Sequence, residues 1–587
     1  MSCTISAIDN GGKDVCNNQL SCIGKKVLEN IKTENLNETV TPFESPVPGS
    51  ISHNLDFITE RDKCLKNKRL FEDPEFPAGD RALYYKKSPG RTIEWKRPSE
   101  IVDNPRLIVA DHSRFDVVQG RLNDCWLLAA VATFAHRGEL FHRVVPPDQS
   151  FIENYAGIFH FQFWRYGKWV DVVIDDLLPT EDGKLIYMHS EENNEFWSAL
   201  LEKAYAKMYG SYENIEWGSV SEAFEDCTGG IAECFYHWEV RNLCTSRNCL
   251  LGHFPKDFVN LVRREKMTLR NSLFQTDPRT LFAILERCFQ MESLVGCSFK
   301  SGKNGLRTMH AYSITKLQPV KTARGNEVLV RIRNPHGMGE WNGPWHDADP
   351  RWKEVSEEQK LAMAAMIKEN GEFWMSFEDF VSVYNFVDLC SLSAEIMSEV
   401  NQMSGERSIT CGKNEWNEVH HFGSWSIAEK TAGGSDIYNK THWMNPQFGS
   451  RFTITNDCKD TDGKCTIIVT LFQKYRREML VNYKKPLPIG CYVYRESSIR
   501  FRKRCCMWTT SKWHPLSLSR EETFFKRNIP VAKTPLFVPH RQVIRFRAEP
   551  GDYIIVPCTH YPDSEGEFMV RIFVDGNVQT KLLPPSH

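Results

Sequence analysis

The stretch Gln119-Gly-Arg-Leu-Asn-Asp-Cys-Trp-Leu-Leu-Ala-Ala130 decides how this chain is read. It reads as a loop that runs directly into a helix. Asn123 or Asp124 is placed to cap the first turn by accepting a backbone N–H bond. Leu127, Ala130, Val131 and Phe134 follow at helical spacing and predict a buried face. Cys125 then falls in the first turn, where free N–H groups and the positive end of the helix dipole favour thiolate over thiol. A nucleophilic cysteine needs such a lowered pKa. Gln119 precedes it in the loop, where its side-chain amide and the Cys125 N–H form a candidate oxyanion hole. The ordinary alternative for a lone cysteine is a buried structural thiol.

The chain has 587 residues, too many for one core, and is expected to divide into two to four domains. With 41% hydrophobic and 25% charged residues it has an ordinary globular composition. A formal charge of -2 gives no reason to expect a nucleic-acid partner. No apolar run reaches the roughly 18 residues of a membrane span. The N-terminus lacks a charged-then-apolar signal pattern. The 19 cysteines are irregularly spaced, which points to reduced thiols and a cytoplasmic chain.

Residues 1–69 are polar with few aromatics and are expected to be disordered, with order beginning at Leu70-Phe-Glu-Asp-Pro-Glu-Phe76. Ile158–Trp164 and Lys168–Ile174 predict a hairpin around Tyr166-Gly167, and Glu195 to Tyr209 a helix stopped by Gly210. Thr228-Gly-Gly230 is a plausible boundary between a first lobe, 70–230, and a second, 231–395. In the second lobe Leu281–Phe289 reads as a helix, and the strands Ala311–Lys316 and Val328–Arg333 flank a turn at Arg324-Gly-Asn326. His310 heads the first strand and Asn334 ends the second. Antiparallel pairing would bring them to the same end of the ladder, where the amide can orient the imidazole. Taken singly, a core histidine and a turn asparagine are the commoner fates. From 396 to 587 short strands and turn signals predict a separate antiparallel β-sandwich.

Cys, His and Asn in that order, with Gln before the Cys, resemble papain-type cysteine proteases. The longer motifs Tyr155-Ala-Gly-Ile-Phe-His-Phe161, Asn194–Tyr205, His310-Ala-Tyr312, Arg333-Asn-Pro335 and Gly371-Glu-Phe-Trp-Met-Ser-Phe377 resemble calpains, the intracellular calcium-dependent proteases, over roughly residues 70–580. The resemblance implies an α+β, papain-like two-lobed core followed by a β-sandwich, and cleavage of intracellular protein substrates. Cys125 would be the nucleophile, His310 its base, Asn334 the orienting amide and Gln119 an oxyanion donor. Gly218 would present backbone to the substrate strand. The resemblance also implies one Ca²⁺ in each lobe. The matching positions are Val109, Asp111, Asp116 and Glu195 in the first, and Glu340, Asp347, Lys368, Asn370 and Glu372 in the second. Oxygen ligands from loops suit that ion.

Four features depart from the family pattern. Asn370 stands where the family usually has Asp, which is expected to weaken the second calcium site. Met309 replaces a glycine before the catalytic His, in the substrate-binding cleft, and His336 replaces a tryptophan that shields the Asn–His pair. That pair is therefore expected to be wetter. Residues 236–275 read as an insertion. In and before it, Cys227, Cys234, His237, Cys244, Cys249 and His253 have spacings compatible with zinc, with scattered reduced thiols as the default. No EF-hand loop is present, so no small-subunit heterodimer is expected. Lys474, Arg476, Arg477, Arg500, Arg502, Lys503 and Arg504 form a basic group on the sandwich that would suit acidic lipid or simply face solvent. Two functions follow: a calcium-dependent cysteine endopeptidase, or a catalytically impaired relative acting as a binding and regulatory module.

Overall fold

The computed structural model describes residues 55–84, 90, 92–109, 112–135, 137–236, 278–290, 293–299, 303–308, 310–322, 325–363, 370–392, 416–453, 463–474, 487–496, 519–534 and 541–584. Met309, Asp111, Lys368, the insertion from His237 onward, and all of the basic group except Lys474 lie outside these residues. Lys474 is paired with Glu567 at 3.1 Å.

Order begins before Leu70. Phe57–Lys66 is a helix, α1, capped by Asp56, whose carboxylate accepts the Thr59 N–H at 2.7 Å. The polar composition of 1–69 hid two anchors, Phe57 and Cys64, about two helical turns apart. Phe57 and Cys64 are buried against Phe71, Ala156, Ile158 and Val173, and that apolar contact holds an otherwise polar helix.

The first lobe is built on Cys125–Phe134, α2, whose ten residues are all buried. The helix therefore has no solvent face, as expected of a segment apolar all round. The hairpin of β1 (Ile158–Arg165) and β2 (Lys168–Asp175) turns through Tyr166 and Gly167, both at positive φ, as a tight two-residue hairpin demands. Trp197–Tyr209, α3, ends at Gly210 in the left-handed conformation. Val220–Thr228, α4, leads through Gly229-Gly230 into β3 (Ile231–Tyr236).

The second lobe carries helix α5 (Pro278–Gln290) and a six-stranded antiparallel sheet. Its strands are β3, β4 (Leu294–Phe299), β5 (Ala311–Thr322), β6 (Gly325–Arg333), β7 (Glu372–Ser376) and β8 (Tyr384–Ser391), in the order β7-β6-β5-β4-β8-β3. Ser313 pairs with Arg333, so the strand starting after His310 and the strand ending before Asn334 share one end.

The C-terminal part is a sandwich of a four-stranded and a five-stranded antiparallel sheet around one core that includes Phe448, Ile467, Ile555 and Ile572. It grips the α4–β3 connection. Arg571 donates to the Gly229 carbonyl at 2.8 Å, Arg541 to Glu225 at 2.7 Å, and Arg545 to Glu233 at 2.7 Å. No helix of the described residues is long and apolar enough to cross a membrane.

Candidate active site

The loop before α2 is shaped by close approach. A Cβ on Gly120 would sit 2.3 Å from the Tyr187 carbonyl oxygen, so only glycine fits there. Asp124 occupies the N-cap position of α2, but its side chain makes no cap bond. Instead its carboxyl is buried against Glu202, and desolvation raises the pKa of both, that of Asp124 to about 7. Asn123 uses its carbonyl to accept the Trp217 N–H at 2.9 Å. This pins Trp217 and Gly218 beside the cysteine turn. Gly218 is exposed, and Trp217 holds a 40% exposed ring at φ +60. The sequence reading passed over that indole.

The lobes meet at Cys125. Its Sγ accepts the Ala311 N–H at 3.4 Å, Ser313 Oγ donates to the Ala129 carbonyl at 2.8 Å, and the Gln119 N–H donates to the Pro335 carbonyl at 2.9 Å. His310, next to Ala311, points Nε2 at Asn334 Oδ1 at 2.7 Å. The Asn334 amide cannot turn, because its Nδ2 donates to the Met338 and Gly339 carbonyls at 2.7 and 3.0 Å. Oδ1 is therefore the acceptor, Nε2 carries the proton, and Nδ1 is the basic nitrogen left over. Gly371, at φ +79, lets β7 begin beside Asn334, whose N–H donates to the Gly371 carbonyl at 2.7 Å.

Burial overturns one expectation. Desolvation pushes the Cys125 thiol up to about 11, despite N–H donors from Ala311, Trp126 and its own backbone. It also pushes His310 down to about 3. The helix start favours thiolate, but burial removes the water that charge needs. A second expectation also changes. His336 does not leave the Asn–His pair wet: Asn334 is 0% and His310 6% exposed, and the His336 ring lies flat against that of His310.

Gln119 sits in the same loop with Nε2 on the Leu122 carbonyl at 2.7 Å. Its Oε1 is buried without a hydrogen-bond partner among the described residues.

The residues proposed for calcium fall in two places. Near the first lobe's surface, Asp116 and Glu195 are buried neighbours. Glu195 accepts from the Val109 N–H at 2.6 Å and Ser190 Oγ at 2.7 Å, and Asp116 from the Ser113 N–H at 2.6 Å. Burial raises both carboxylates, Glu195 to about 7. Two desolvated acids side by side fit a hard cation. The second set does not fit as it stands. Glu340 accepts the Asn370 and Gly371 N–H groups at 3.0 and 2.9 Å, and Asn370 Oδ1 accepts the Glu372 N–H at 2.9 Å. The Glu372 carboxylate is held by Arg114 at 2.9 and 3.0 Å. That bidentate pair joins lobe to lobe, since Arg114 belongs to the short 3-10 turn that carries Asp116. Among the described residues no group of three or more His, Cys, Asp and Glu side chains is arranged to hold a metal. The zinc reading has no support there: Cys227 is buried at the end of α4 and Cys234 lies in β3.

With the geometry in place, the comparisons are decisive. Residues 71–391 match the family model described as calpain family cysteine protease. The chain belongs to the calpain family. Residues 421–573 match domain III of the calpain large subunit. The chain is 42% identical to calpain clp-1 of Caenorhabditis elegans over 98% of its own length and 69% of that protein's. It is 41% identical to calpain-A of Drosophila melanogaster over 94% of this chain and 60% of the relative. It is 38% identical to the calpain-2 catalytic subunit of Bos taurus over 89% and 68%. The molecule is thus a calpain-type cysteine endopeptidase: a calpain protease core followed by domain III.

Proposed function

We propose that Cys125 is the nucleophile of this calpain, His310 its general base and acid, Asn334 the amide that orients His310, and Gln119 an oxyanion donor. The observation that carries this reading is the Cys125–Ala311 contact across the lobes, next to the fixed His310–Asn334 bond. His310 Nδ1 takes the Cys125 proton as sulfur attacks a peptide carbonyl, so neither group has to be charged at rest. The Cys125 N–H and Gln119 Nε2 receive the oxyanion. His310 then returns the proton to the leaving amine, and water releases the acyl group from sulfur. Gly218 offers backbone to an extended protein substrate. Met309 and His336 do not favour the impaired, binding-only alternative. His336 leaves the His310–Asn334 bond intact, and Met309 lies outside the described residues.

Calcium control is part of the proposal, for a protease working in the cytoplasm. Val109, Asp111, Asp116 and Glu195 would hold Ca²⁺ in the first lobe. Glu340, Asp347, Lys368, Asn370 and Glu372 would hold it in the second, after Glu372 gives up some of its bond to Arg114. Bound Ca²⁺ supplies positive charge to the desolvated carboxylates. Ser113 and Ser190 already hold the two first-lobe acids in place for such an ion.

The test is hydrolysis of casein or a quenched peptide by the recombinant chain, with calcium and with chelator, against Cys125→Ala. Calcium-stimulated, Cys125-dependent turnover is expected. Equal, negligible turnover in every sample rejects the assignment of residues. Turnover that needs Cys125 but not calcium keeps the protease and removes the calcium control. A calcium-induced rise in unfolding temperature, reduced in Glu195→Gln, is the independent check on the first site.

A further inference from the structure

His336 takes no part in the chemistry above, yet it touches the machinery twice. Its ring is stacked on that of His310, with centroids 4.8 Å apart and planes 20° from parallel. Its backbone N–H donates at 3.0 Å to Asn334 Oδ1, the same oxygen that receives His310 Nε2–H at 2.7 Å. One residue thus confines the His310 imidazole through its face and through its acceptor. A purely apolar or indole cover would do as much without carrying a titrating proton.

Among the described residues, Tyr312 stands edge-on to His310 with centroids 4.9 Å apart, and the charged groups nearby are these. Arg307, in the segment leading to His310, acts on both imidazoles. Glu191 approaches from the first lobe, with its Oε1 3.9 Å from where a Cβ on Gly337 would lie. Cys125 meets the backbone of the residue after His310. In the first chemical step the Cys125 S–H bond breaks, its electron pair stays on sulfur, and an N–H bond forms at His310 Nδ1. His310 becomes cationic. A proton on His336 would put a second cation flat against it, in a half-buried place that already feels Arg307, and like charges that close disfavour the transfer.

We propose that His336 is a positioning residue with a second role: neutral, it holds His310 in register, and protonated, it blocks proton transfer from Cys125 and so gives this calpain an acid-side shut-off. Burial and Arg307 both lower the pKa of His336, so the block sets in below the ordinary imidazole value of about 6.5. At neutral pH the enzyme is released from it. The proposal rests on the reading of Cys125 and His310 as nucleophile and base.

The experiment is the rate of Cys125 alkylation by iodoacetamide from pH 5 to 8, with calcium present. It is read by mass spectrometry of the Cys125 peptide in the full chain, in H336Q and in H336W, each normalised to its own rate at pH 8. The pH profile of peptide kcat/KM is measured alongside. The wild-type acid limb should steepen to a two-proton dependence, about a hundredfold per pH unit, against about tenfold per unit in both variants. A merely structural His336 would lower the plateau and leave the slope alone. Identical slopes in all three proteins would overturn the proposal. No Cys125 labelling at any pH in the wild-type chain would overturn the nucleophile assignment beneath it.

Discussion

Two histidines of this chain are equally hidden, yet one favours the charged ring and the other the neutral ring. His160, in β1, and His310, at the cleft, are each 6% exposed. His160 lies between Asp148 and Asp171, both at 2.8 Å, with its ring stacked on Phe57 of α1 at 4.0 Å. Although burial opposes the charge, the two carboxylates push its pKa up to about 10. His310 has an amide, a second imidazole and the Tyr312 ring for neighbours, and burial takes it down to about 3. Burial alone therefore says little about a histidine's charge; the partners decide it. A carboxylate partner makes a permanent cation that ties elements together. An amide partner keeps a base that is free to accept a proton. The first histidine serves the fold; the second is the one we propose for the reaction.

The largest expected effect lies at the second. His310→Ala should lower kcat by about 10⁴-fold or more, while its far-UV circular dichroism and urea midpoint stay near those of the wild type. His160→Gln should do the reverse. It strands two carboxylates and is expected to cost about 3–5 kcal/mol in urea unfolding, with peptide kcat/KM nearly unchanged in the fraction that remains folded. A large activity loss in a stably folded His160→Gln would erase the distinction.

The pH dependence sharpens it. A histidine whose folded pKa is raised contributes stability that is fully present below its unfolded value near 6.5 and is lost as pH climbs through about 10. The stability gap between wild type and His160→Gln should therefore narrow from pH 7 to pH 10.5.

Smaller effects follow at the supports. Asn334→Ala frees the His310 ring and should reduce kcat/KM by about 10²-fold, as misplacement of a reacting group does, without a matching loss of stability. The buried Asp124–Glu202 pair holds its proton more tightly folded than unfolded. Its contribution is present below the ordinary carboxylate range and lost as pH rises through about 7. Glu202→Gln should flatten the decline of stability between pH 5 and 8 by about 1 kcal/mol, readable as a change in thermal midpoint.

Much of this was legible in the amino acids. The β1–β2 hairpin, α3 with its Gly210 stop, and the β5–β6 pair follow from local periodicity and turn residues. His310 and Asn334 could be matched because both sit at strand ends. What escaped depended on partners far away in sequence. Arg114 meets Glu372 from 258 residues away, and nothing in either stretch announces it. The thiol of Cys125 was read from its own helix, whereas burial in the folded protein pushes its pKa up. The helix α1 was lost in a polar segment because its two anchors are visible only once their cover is known.

The most direct test of the account is labelling with a thiol-reactive peptide epoxide, followed by mass mapping of all 19 cysteines. A single adduct is expected, at Cys125, and it disappears in His310→Ala. Adducts spread over several cysteines, or an adduct at Cys125 that forms equally well without His310, would contradict it.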